Sequence, residues 1–92
     1  MNPSSREGFA QATAQALYTK WCNDLRELKT VSDPRIREWW VQDLQDLHDQ
    51  AADLLGLDIV WGSAEHQLRL ILSQSVKAWS IMAKATDNSN FI

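Results

Sequence analysis

The sequence predicts an all-α fold, a small three-helix antiparallel (up-down-up) bundle, with helices over roughly 4–30, 33–55 and 63–86. Three observations predict it. Apolar residues recur at three- and four-residue steps in three separate stretches, helix start and stop signals fall between those stretches, and the connections are short. The three helical stretches leave strands no place except around Ile59. Short connections between amphipathic helices make neighbours antiparallel.

The first helix is announced by Ser4 or Ser5 as N-cap and Glu7 in the first turn. Its apolar face is Ala10, Ala14, Leu17, Trp21, Leu25 and Leu28, and "KTVSDP" ends it. In "SDPR", Asp33 is a good N-cap and Pro34 sits at the first helical position, where the missing N–H costs nothing. The second helix then carries Ile36, Trp40, Leu44, Leu47, Ala51 and Leu54 inward, and Gly56 before Leu57 predicts a left-handed C-cap with its hydrophobic contact. "LDIVWGS" is a connection whose Ile59, Val60 and Trp61 are expected to fold over one end of the bundle. Gly62 or Ser63 caps the third helix. That helix shows Leu68, Leu72, Val76, Trp79 and Ala83 on one stripe, flanked by Ile71 and Met82, and "TDNSN" is expected to stop it. Trp21, Trp40 and Trp79, one per helix, are expected to share the core.

One domain spanning 1–92 follows, with short polar tails at 1–4 and 86–92. At this size stability is thin and self-association often helps. The composition, 45% hydrophobic and 23% charged, is that of a globular chain. Cys22 is the single cysteine, so neither an internal disulfide nor a cysteine-rich metal knuckle is possible. A reducing, cytoplasmic setting is expected. The start, "MNPSSREGF", carries no apolar core of an export signal, and no apolar run reaches the length of a membrane span.

The net charge of −3 is unevenly placed. Residues 33–58 hold Arg35 and Arg37 against Asp33, Glu38, Asp43, Asp46, Asp49, Asp53 and Asp58, while both flanks are slightly basic. This argues against direct nucleic-acid binding, which wants a basic patch. It favours a protein partner with a basic surface.

In "IREWWVQDLQDLHDQ" two adjacent tryptophans cannot both face the core, because neighbours on a helix point about 100° apart. Trp40 belongs to the inward stripe. Trp39 lies on its flank with Asp43, Asp46, Gln50 and Asp53, at steps of four, three, four and three. An aromatic anchor beside carboxylates makes these five the candidate partner-binding residues. The plainer alternative is a loop-packed tryptophan beside a solvated acidic face. On the third helix Leu70 and Ile81 lie opposite the core stripe with Lys77, a candidate homo-oligomer interface.

Signals of catalysis are poor. Asp46 and Asp49 share a face from which His48 points away, and His66 has no second histidine one turn on. No zinc-protease, nucleophile-elbow, phosphate-loop or dinucleotide motif occurs. No metal and no cofactor are therefore expected, and the chain is read as a non-enzyme. The expected function is a small non-catalytic intracellular protein-binding module, an inhibitor or adaptor of the kind that phages and mobile elements encode. The alternatives are an inhibitor whose acidic helix imitates a nucleic-acid backbone, or a structural assembly subunit. An enzyme or small-ligand binder with an inter-subunit site using His48, His66, Cys22 or Arg69 stands behind these.

Overall fold

A computed structural model describes the backbone over residues 4–90 and the side chains over 6–77. Three helices, α1 (Ser4–Thr30), α2 (Pro34–Leu55) and α3 (Ser63–Asn90), pack so that every pair is in contact, and no strand occurs among the described residues. The architecture is the small all-α bundle that the periodicity predicts.

Cross-links show how the chain runs. Glu7 Oε1 accepts from the Val60 N–H, and Trp21 Nε1 donates to Gln74 Oε1; both pairs are separated by 53 residues. A constant offset means that α1 and α3 run parallel. The short turn between Thr30 and Pro34 makes α2 run against both.

The boundaries follow from local chemistry. Asp33 stays extended at φ −73° and ψ 120°, and its side chain accepts from the Arg35 N–H at 2.9 Å, occupying a donor that α2 would leave bare. Gly56 does not form the expected left-handed cap. It continues right-handed at φ −75° and ψ −10°, its N–H reaching the carbonyls of Ala52 and Asp53, and Leu57 remains exposed. The positive φ falls instead at Gly62, 57°, where the chain swings into α3 and Ala64 N–H bonds back to Trp61 O. The expected stop at "TDNSN" is also overturned, since α3 continues to Asn90. Polar turn-formers favour a stop but carry no steric block of the kind proline imposes.

The core departs from the expected stripes in α2 and α3. From α1, Ala10, Ala14, Leu17, Trp21 and Leu28 are buried as expected; from α2, Leu44, Leu47 and Ala51 are, but Ile36 is 50% exposed and Trp40 only half-buried. The buried stripe of α3 is Ala64, Leu68, Ile71 and Ser75, while Val76 is exposed and Leu72 half-buried. Trp79, Met82 and Ala83, expected in that stripe, lie outside the described side chains. The α3 face is rotated because Ser75, polar by letter, is a core residue. Its hydroxyl donates to Leu72 O at 3.0 Å and is held by His48 Nδ1 from α2, so its burial leaves no bare polar group. In the connection, Trp61 is buried and Ile59 partly so, but Val60 points outward, its carbonyl accepting from Gln11 Nε2 at 3.0 Å.

Candidate functional site

The first half of α2 leaves a large aromatic ring uncovered. Asp33 and Pro34 fix where the helix begins, and therefore which way every later side chain points. Trp39 is 58% exposed. It stands edge-on to Trp40, ring centroids 4.6 Å apart and planes at 82°, the arrangement in which the positive edge of one ring meets the negative face of the other. Trp40, packed against the core, is thus the support of Trp39 as much as a filler of the interior. Ile36, half exposed on the same part of α2, extends the apolar surface.

The aspartates divide. Asp43, one turn after Trp39, is partly buried, and Lys20 of α1 donates to its Oδ2 at 2.6 Å. It is tied into the α1–α2 seam. Asp46 is exposed and accepts a long hydrogen bond from Gln42 at 3.4 Å, and Gln50 and Asp53 are exposed. Asp49, outside the candidate stripe, is exposed as well. The outward negative charge farther along α2 from Trp39 is therefore carried by Asp46, Asp49 and Asp53, while Arg35 and Glu38 are the exposed charges nearest to it in the chain.

The sequence did not disclose the partner of Asp43 across the seam. Asp24 of α1 is 3% exposed, with Lys20 Nζ 3.4 Å from its Oδ2. Burial, then the neighbouring Asp43, pushes its carboxyl up to about 6. Asp43 is held below the usual carboxylate range, first by a hydrogen bond with Asp24 and also by Lys20. Lys20 is raised in turn, chiefly by its bond to Asp43. Asp24 falls on the inward arc of α1 between Trp21 and Leu28, and that position was the one signal available.

On α3, Leu70 is half-buried rather than fully outward and Lys77 is exposed; Ile81 lies outside the described side chains. The residues considered for chemistry have structural settings. His48 meets the fully buried Ser75. Arg69 pairs with Glu65 at 2.9 Å, His66 is exposed, and Cys22 is half-buried one turn after Tyr18, whose phenol it raises through a hydrogen bond. Among the described residues no three His, Cys, Asp or Glu side chains gather as a metal site, and no helix is long and apolar enough to cross a membrane. No family model, curated protein or solved structure matches this chain.

Proposed function

We propose that this chain is a small non-catalytic protein-binding module that docks through the flank of α2 onto a basic protein surface. The observation that carries the reading is Trp39: a tryptophan more than half exposed, propped on a half-buried Trp40, on a helix that exposes the carboxylates of Asp46, Asp49 and Asp53 farther along. A large ring left in water costs free energy that a partner's surface recovers, and tryptophan is prominent among residues that dominate interface energies. The carboxylates select the sign of the partner and steer its approach. Asp43 belongs to the stripe by spacing, yet its charge is balanced by Lys20, so its part is to hold α2 against α1.

Capture of partners on immobilised protein, comparing wild type with Trp39→Ala and with Asp46→Lys, Asp53→Lys, tests this reading. A basic protein retained by wild type and lost from both variants is expected. Equal recovery on all three would remove the α2 flank as the docking surface.

A further inference from the structure

Lys20, Asp24 and Asp43 place two carboxylates around one ammonium at the seam between α1 and α2. Both contacts, 3.4 Å and 2.6 Å, run from the same Nζ, so the acceptor oxygens lie within about 6 Å of each other, the range in which like charges disfavour double ionisation. Asp24 is almost sealed from water while Lys20 is half exposed, so the buried acid shares its cation with Asp43 and has the longer of the two contacts. With both acids ionised the cluster holds one negative charge more than positive. One added proton balances it.

We propose that Lys20, Asp24 and Asp43 form a proton-operated clasp between α1 and α2, closed when Asp24 is neutral and donates to Asp43, and loosened when Asp24 ionises. Among the described residues, the charges that shift Asp24 are those of Asp43 and Lys20. On α2 the charged group facing Asp24 is Asp43, and on α1 it is Lys20. None of the described charged residues of α3, Glu65, Arg69 and Lys77, nor the titratable His66, is among the groups that shift Asp24. Of the other titratable groups along this part of α2, Glu38, Asp46 and Asp49 are exposed to water and His48 meets Ser75 on the α3 side.

The direction of the effect follows from where the proton is held more tightly. In the unfolded chain Asp24 loses its proton near the ordinary carboxylate value of 3.8, and in the folded chain at about 6. Between these values the folded state binds more protons, so stability falls as pH rises through the window, and the full loss stands above it. Asp43, held low, acts oppositely: its contribution is present above the ordinary carboxylate value and disappears as the pH falls through its lower folded value. The clasp is thus tightest in mild acid.

Two measurements test it. The first follows the carboxyl carbon of Asp24 by NMR in the wild-type protein and in Asp43→Asn and Lys20→Gln. The wild-type midpoint is expected near 6, lower without the neighbouring acid and higher without the cation; a wild-type midpoint in the ordinary carboxylate range would overturn the proposal even if every variant failed to fold. The second compares denaturant unfolding of wild type and Asp24→Asn between pH 4.5 and 8. The wild-type folding constant is expected to fall by about thirtyfold as the pH rises over this range, with the variant nearly level. Parallel profiles for the two proteins would also overturn the proposal.

Discussion

Trp39 and Trp40 are the same residue one position apart, and what separates them is the surface beneath each ring. Trp40 rests on the core, whereas Trp39 rests on Trp40 and keeps 58% of its surface in water. Trp21, by contrast, is fully buried, with its Nε1–H on Gln74. Truncation should follow this order: Trp21→Ala should cost about 3–5 kcal/mol, Trp40→Ala less, and Trp39→Ala under about 1 kcal/mol. Thermal unfolding of the three variants measures the order, and equal losses at 39 and 40 would deny the difference in support. The flank position of Trp39 was legible from its step along the helix; the incomplete burial of Trp40 was not, because periodicity gives a direction and says nothing of how far a neighbouring helix covers it. Ser75 shows the opposite limit. A pattern of apolar letters passes over a serine whose hydroxyl has two partners, and Ser75→Ala should cost about 1–2 kcal/mol through the bond that His48 loses.

At the scale of the elements, the start of α2 was readable because two residues state it independently: Asp33 supplies an acceptor and Pro34 a preset φ. Helix ends were less readable, because a glycine permits a left-handed turn without requiring one. Gly56 remains right-handed and Gly62 carries the positive φ, which gives the two glycines opposite responses to alanine. A Cβ at position 56 would sit 3.4 Å from Asp53 O, an ordinary contact, so Gly56→Ala should stabilise by about 0.4–1 kcal/mol by restricting the unfolded chain. Gly62→Ala should destabilise by about 1–2 kcal/mol, since its backbone lies in the left-handed region although space is open around it. Denaturant midpoints of the pair check the sign at each site. A gain at 62 would mean that the connection takes another conformation into α3.

Over the whole molecule, the acidic middle of the sequence becomes one helix of a bundle whose other two are nearly balanced in charge. The bundle was legible because three separated apolar periods leave little choice of fold; the internal neutralisation of one acid was not, because Lys20 and Asp43 are 23 residues apart and meet only after α1 and α2 have paired. Exposed Val76 joins Lys77 on the outer surface of α3, where self-association was expected around Leu70, Lys77 and Ile81. If copies pair there, light scattering should show a mass above that of one chain, and Val76→Asp should reduce it; a single-chain mass at every concentration would leave α3 without that role. Docking through α2 makes a different demand, because exposed charges act at a distance that salt shortens to about 8–10 Å under physiological conditions. Reversing Asp46 and Asp53 should therefore slow association and flatten its dependence on salt, with little change in dissociation. Asp43→Asn should lower stability more than it lowers the association rate, since Lys20 already balances that charge. Trp39→Ala should leave association nearly unchanged and speed dissociation, as loss of a desolvated anchor does. Surface-plasmon kinetics over a salt series separates these effects, and an association rate indifferent to both salt and charge reversal would show that the aspartates of α2 face only water.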